Sequence, residues 1–259
     1  MPVGRRDLSL VVVNEQAPRR TSINLMDAIM PGLCAGCEAR HIGLCAALDD
    51  EDLHFLASVA RSQSFSRSET FIVEGDDARY FYNINHGTCK LYKDLADGRR
   101  QITGFVGVGD FVGLAAHDHY VFTAEALEDV KLCRFDRREL RAVFSRFPAL
   151  ERQLLAIASH ELVVAQDQML LLGRKTAIER IASFLVAWSH REGCVASASG
   201  ALDLPMSRAD LADYLGLTIE TVSRALTSLK RQNLIDIGAH HAISIIDAGR
   251  LGHLSNADI

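Results

Sequence analysis

The hydrophobic and polar positions of this chain change period several times. Asp49–Ala60 carries Leu53, Leu56 and Ala60 on one face at helical spacing. Residues 64–136 instead show short β-type runs separated by turn residues: Glu74-Gly75-Asp76, His86-Gly87, Asp97-Gly98 and Gly109-Asp110. Asp97-Gly98 between Leu91-Tyr92 and Gln101-Ile102-Thr103 is a good hairpin signal. Strands at this regular spacing predict a small antiparallel barrel or jelly roll. After Pro148 the period becomes helical as far as Leu172. Leu155, Ala158, Leu162, Ala165, Met169 and Leu172 alternate three and four apart, the a/d repeat of a coiled-coil seam. Such a seam predicts a homodimer; the alternative is a long helix lying on its own domain core. Gly173-Arg174-Lys175 then reads as a hinge, Ile178–His190 as an amphipathic helix, and residues 193–200 as a small-residue loop.

The last segment carries a helical hairpin. Ser207 with Asp210 is a capping box that opens a helix whose apolar face is Leu211 and Leu215. Gly216 supplies a tight turn, and Thr218 caps a second helix that buries Val222, Leu226 and Leu229. The opposite face presents Glu220, Ser223, Arg224 and Thr227 at helical spacing. Those side chains suit base edges: Arg donates twice to guanine, Glu accepts from cytosine, and Ser bonds to a base or a phosphate. Leu234–Ile237 and Ile243–Ile246, joined by a Gly-Ala-His-His turn, read as two strands of a wing. The pattern predicts a winged helix-turn-helix whose partner is double-stranded DNA; the alternative is an ordinary helical hairpin with a solvated polar face.

Composition constrains this picture only loosely. A length of 259 residues fits one large or two ordinary domains, and 48 % hydrophobic residues suffice to bury cores. The net charge of -5 gives no general attraction to nucleic acid. Affinity depends on local charge, and three of the four cations of Leu204–Arg231 (Arg224, Lys230 and Arg231) lie at its C-terminal end. No apolar run is long enough for a transmembrane helix, and Leu8–Val13 is too short for a signal peptide. A cytoplasmic protein without a membrane partner is expected. There is no Gly-rich phosphate loop, nucleophile elbow or His-Glu-x-x-His, so no enzyme is expected.

Six cysteines carry the remaining chemistry: Cys34, Cys37, Cys45, Cys89, Cys133 and Cys194. Thiolates are soft ligands for iron–sulfur clusters and zinc. Cys34, Cys37 and Cys45 come from one loop. Cys89 shares an inward strand face with Leu91, and Cys194 lies in the DNA-binding half. Cys133 shares a face with Lys131, opposite Val130 and Leu132, so it can point out of the barrel toward the loop. Cys133 is therefore the chosen fourth ligand. A structural zinc at the same thiols, or cysteines without any ligand, are the alternatives.

The segment Tyr214-Leu-Gly-Leu-Thr-Ile-Glu-Thr-Val-Ser-Arg224 resembles the recognition segment of the CRP/FNR superfamily, most closely its FNR and FixK branch. Gln101–Phe105, Gly109–Gly113, Gln166–Leu172 and Glu179–Ala182 match as well, so the likeness runs from about Cys34 to Ile246. It implies an α+β fold: an N-terminal β jelly roll of the cyclic-nucleotide-binding type, a long dimerisation helix and a C-terminal winged helix-turn-helix. The expected division is 1–33 as a flexible N-terminus, 34–145 as Cys-loop and barrel sensor, 146–173 as dimerisation helix, and 174–259 as DNA-binding domain.

The resemblance also implies function. It assigns DNA reading to Glu220, Ser223 and Arg224, on palindromes with TTGAT-like half-sites. FNR-type oxygen sensors carry an N-terminal cysteine trio and a fourth cysteine in a segment like Glu125–Cys133, which implies an oxygen-labile 4Fe–4S cluster. FixK-type members lack the cysteine set. The implied protein is an activator of anaerobic or microaerobic genes that contacts RNA polymerase, for which the Asp97-Gly98-Arg99-Arg100 turn is a candidate. Cyclic nucleotide is not expected as a ligand: Gln101–Cys133 contains no Arg, and its only Lys is Lys131. Small Ala158 and Ala165 weaken the seam, and some relatives carry an acidic residue where Ala165 stands.

Overall fold

The fold is that of a computed structural model, which describes residues 34, 36–114, 118–191, 201–238 and 242–255. The expected flexible N-terminus at 1–33, Cys194 and most of the wing turn lie outside the described residues.

The first half is a jelly roll of two four-stranded antiparallel sheets. It comprises β1 (Ala60–Phe65), β2 (Thr70–Ile72), β3 (Tyr80–His86), β4 (Cys89–Asp94), β5 (Arg100–Val106), β6 (Phe111–Val112), β7 (Thr123–Ala126) and β8 (Val130–Asp136). The strand orders are β1-β8-β3-β6 and β2-β7-β4-β5. The expected Asp97-Gly98 hairpin joins β4 to β5, with Lys93 opposite Gln101 and Asp94 opposite Arg100. Alternation sends Ile84, Cys89, Val130 and Leu132 into the barrel, where they pack with Tyr82 and Tyr120.

Both sheets are covered on their outer faces. Helix α1 (Asp50–Val59) is capped by Asp49, which accepts from the Asp52 N–H. It lies with α2 (Arg137–Arg146) over the outer face of β8, burying Cys133 and Phe135 beneath Leu44, Leu53 and Leu56. The other sheet turns Tyr92, Ile102 and Phe105 outward into the core of the C-terminal domain.

Helix α3 (Pro148–Arg174) links the two halves, with proline in its first turn. Gly173 and Arg174 lie inside this helix; the chain breaks at Lys175, the last residue of the expected hinge. Helix α4 (Ala177–Ser189) opens with a capping box between Thr176 and Glu179. Helices α5 (Arg208–Leu215) and α6 (Ile219–Arg231) form the hairpin, followed by β9 (Ile235–Ile237), β10 (Ile243–Ile245) and α7 (Ala248–Ser255). Leu202 bridges to Ile243 and extends the wing. Arg180 ties three of these elements together, donating to the carbonyls of Leu172, Lys175 and Leu215 at 2.7–3.0 Å.

Candidate DNA interface and cysteine site

The hairpin is built by local rules. The Ser207 hydroxyl takes the Asp210 N–H, while the Asp210 carboxylate takes the Ser207 N–H at 2.9 Å. Gly216 ends α5 at φ 61°, ψ 44°, a left-handed conformation that costs a residue with a Cβ about 1–2 kcal/mol. Thr218 accepts from the Thr221 N–H at 3.2 Å and starts α6. Val222, Ala225, Leu226 and Leu229 are buried. Glu220, Arg224 and Thr227 are exposed and Ser223 is half-buried. Ser223, Arg224, Thr227, Ser228 and Arg231 line one shallow groove on this face. The Glu220 carboxyl is held below its ordinary pKa by its own backbone N–H, by Thr218 and by nearby Arg224. The stripe thus presents an acceptor, a hydroxyl and a cation together, the set that base edges require.

A second site lies on the opposite side of the barrel. Two 3-10 turns, Glu38–His41 and Cys45–Ala47, fold the 34–45 segment over β8. Cys34, Cys37, Cys45 and Cys133 line one small apolar cavity, with Arg40, Asn85, Leu53 and Leu56 completing its wall. Burial, then the neighbouring Cys133 and Cys37 thiols, pushes Cys34 up to about 11 and Cys45 up to about 12. Burial raises Cys133 as well, opposed by Asn85, whose Nδ2 donates to Cys133 Sγ at 3.1 Å. Asn83, only 1 % exposed, donates in turn to Asn85 Oδ1 at 3.4 Å, which turns the Asn85 amide N–H toward the sulfur. Among the described residues, no group of three or more His, Cys, Asp or Glu is disposed to hold a single metal ion. Cys89 sits elsewhere, in the barrel interior.

The segment is clamped from two sides. Gly43 has φ 63°, and a Cβ there would stand 2.0 Å from the Gly109 carbonyl oxygen. Gln153 of α3 donates to the Gly43 carbonyl at 3.1 Å. The cysteine segment therefore touches both the β5–β6 turn and the long helix.

The seam residues sit on an open face of α3. Leu155, Leu162 and Met169 are 68 %, 61 % and 66 % exposed, and Ala158 and Ala165 are exposed with them. Leu172 departs from the expectation. It is half-buried and packs into the C-terminal core near Gly216, because α3 runs on into the DNA-binding domain.

Sequence reasoning missed the contacts that join the halves. Phe105 packs against Phe184, Trp188 and Tyr214 with ring centroids 5.0–6.1 Å apart. Gln101 and Gln168 both donate to the Tyr214 carbonyl at the end of α5. Arg191 bonds to the Asp110 carboxylate and to the Phe105 carbonyl at 2.5 Å. Polar residues on a strand read as solvated, so no local signal marks these partners.

Comparison with known proteins agrees with this architecture. The Crp-like helix-turn-helix domain family matches residues 179–254, and the cyclic nucleotide-binding domain family matches residues 62–147. The chain is 42 % identical over 224 residues to the nitrogen fixation regulation protein FixK of Bradyrhizobium diazoefficiens, covering 86 % of this chain and 94 % of that one. It is 34 % identical over 222 residues to the transcriptional activator FnrL of Cereibacter sphaeroides, covering 84 % and 90 % respectively. The solved structure of FixK2 from Bradyrhizobium japonicum superposes with a TM-score of 0.72 at 39 % identity, covering 78 % of this chain and all of that one. The chain belongs to the CRP/FNR family of transcription regulators, DNA-binding proteins rather than enzymes. Among the described residues no helix is long and apolar enough to cross a membrane.

Proposed function

We propose that this regulator is an oxygen-responsive activator that binds palindromic TTGAT-type sites as a homodimer while Cys34, Cys37, Cys45 and Cys133 hold a 4Fe–4S cluster. The observation that carries the reading is the convergence of four thiols, from segments far apart in sequence, on one apolar cavity. The donor set fits the group: four soft sulfurs, an amide N–H on one of them, and the Arg40 cation in the wall. When bound, the cluster supplies an oxygen-labile cross-link between the 34–45 segment and β8.

The chain's own residues extend that cross-link to the DNA. A pinned 34–45 segment keeps the Gly43 carbonyl on Gln153, steadying the N-terminal half of α3 next to the exposed stripe that starts at Leu155. With the thiols released, the segment loses that anchor and the seam loosens. Pairing along the stripe sets two α6 helices about one turn of the duplex apart. Glu220, Ser223 and Arg224 then read bases, while Ser207 and Thr218 hold the two helix ends that carry them. The exposed Asp97–Arg99 turn offers a surface to RNA polymerase. The barrel interior is filled by Tyr82, Tyr120, Ile84 and Leu132, in keeping with a sensor that takes no cyclic nucleotide.

Purification without oxygen tests the reading. The expected product is brown, with about four iron atoms per chain. Cys133→Ser loses the colour, whereas Cys89→Ser and Cys194→Ser keep it. A colourless anaerobic preparation containing zinc, or no metal, overturns the proposal. The last outcome favours a FixK-like regulator without a cluster, a second reading supported by the 42 % identity to FixK.

A further inference from the structure

Arg208 opens α5, and its guanidinium reaches across the hairpin to α6. Its Nη1 donates to Ser223 Oγ at 3.2 Å. A guanidinium can only donate, so the serine oxygen is the acceptor and its own proton is left for another partner. Among the described residues no acceptor takes that proton, and no carboxylate lies within ion-pair distance of Arg208. Ser223 meanwhile lines the α6 groove beside Arg224 and Thr227.

We propose that Arg208 is a positioning residue for specificity: it holds Ser223 Oγ as a hydrogen-bond donor toward the DNA. The inference rests on Ser223 facing a base, as proposed above. A donor hydroxyl suits edges that present acceptors in the major groove: guanine O6 and N7, adenine N7 and thymine O4. It disfavours cytosine, whose N4 can only donate, because one lone pair of the serine oxygen is taken by the guanidinium and the positive charge beside it makes the other a poor acceptor. Without Arg208 the hydroxyl rotates freely and accepts through both lone pairs as readily as it donates, and this selection is lost.

The experiment measures binding of the full-length chain to randomised half-sites by gel shift, for Ser223→Ala, Arg208→Ala and the double variant. Arg208→Met, which keeps the aliphatic stem, accompanies them in case the alanine variant folds poorly. Ser223→Ala is expected to flatten preference at one base pair by roughly 2- to 12-fold, the span of one hydrogen bond. The Arg208 variants flatten the same base pair and no other, and the double variant adds nothing further. A different result overturns the proposal: affinity falling uniformly across sequences, with the salt slope reduced by about one, makes Arg208 a phosphate contact only. If Ser223→Ala leaves every base preference unchanged, the base-reading role of Ser223 falls, and the positioning role with it.

Discussion

Lys90 of the sensor barrel donates to Asp210, the carboxylate that caps the first helix of the DNA-binding hairpin, at 3.0 Å. A second carboxylate, Glu125, lies 3.1 Å from the same ammonium. Lys90 is only 7 % exposed, and it sits on the outward face of β4 with Tyr92. The contact spans 120 residues of sequence, and it couples the fold of the recognition hairpin to the docking of the sensor.

Burial alone would lower the Lys90 pKa, but its bonds to Asp210 and Glu125 outweigh it and raise it above 10.5. For Asp210, burial is likewise outweighed by Ser207 and Lys90, which hold it below 3.8. The signs define the window in which the pair is formed. Stability from the raised Lys90 is complete below 10.5 and lost as pH climbs through its folded value. Stability from the depressed Asp210 is present above 3.8 and lost as pH falls through its folded value. Lys90→Met leaves Asp210 with its Ser207 bonds and Glu125 with Arg100 at 4.0 Å, and the expected cost at neutral pH is about 1.5–3 kcal/mol, that of a hydrogen bond to a charged group. Urea midpoints of the two proteins measure it, and the difference shrinks as pH falls below 3.8. Trp188, the one tryptophan of the chain, touches Phe105 across the same interface and reports undocking by its emission. Equal urea midpoints at neutral pH would show that the contact carries no stability.

What was legible in the sequence follows from how local each feature is. The Ser207–Asp210 cap, the Gly216 turn and the Thr218 cap each involve residues within one helical turn, so spacing alone exposes them. The Asp97-Gly98 hairpin and the outward direction of Cys133 follow from the two-residue period of strands. The interdomain contacts have no such period. Lys90 and Gln101 are polar residues on strands, and only the docking of a second domain buries the side of the sheet they occupy. Leu202, on an irregular stretch, gains its wing partner Ile243 by a tertiary meeting. Leu172 fits the heptad as well as Met169 does. Only the three-dimensional end of α3 assigns it to the C-terminal core.

Gly43 is the tightest point of the cysteine segment. Gly43→Ala would place a methyl 2.0 Å from the Gly109 carbonyl oxygen, which is backbone and cannot swing aside. Its φ of 63° adds about 1–2 kcal/mol of strain. The expected outcome is a segment lifted from the β5–β6 turn while the barrel stays folded. Alkylation of Cys45, a half-buried thiol raised to about 12, then accelerates relative to the parent protein. Labelling of Cys89 inside the barrel stays slow and serves as the internal control. Equal Cys45 labelling in the two proteins would show that the clamp at Gly109 does not hold the segment.

The exposed face of α3 makes the last prediction. Leu155, Leu162 and Met169 recur every seven residues, each more than half exposed, and Val163 and Leu170 repeat the interval beside them. A solvated helix face has no reason to keep apolar side chains at that interval, whereas a partner helix buries all of them. Full burial of each leucine contributes about 1.5–3 kcal/mol, so the stripe can hold two chains together even with small Ala158 and Ala165 between the large residues. Leu162→Glu places like charges in the middle of a two-fold seam and adds two buried carboxylates. Sedimentation should show a dimer for the parent and a monomer for the variant, with the melting temperature of the barrel unchanged. Affinity for a palindromic duplex then drops by roughly 100-fold or more, because the second half-site no longer binds within the same complex. Affinity for a single half-site stays the same. A variant that remains dimeric would move the seam off this stripe and return α3 to the role of a helix that only links two domains.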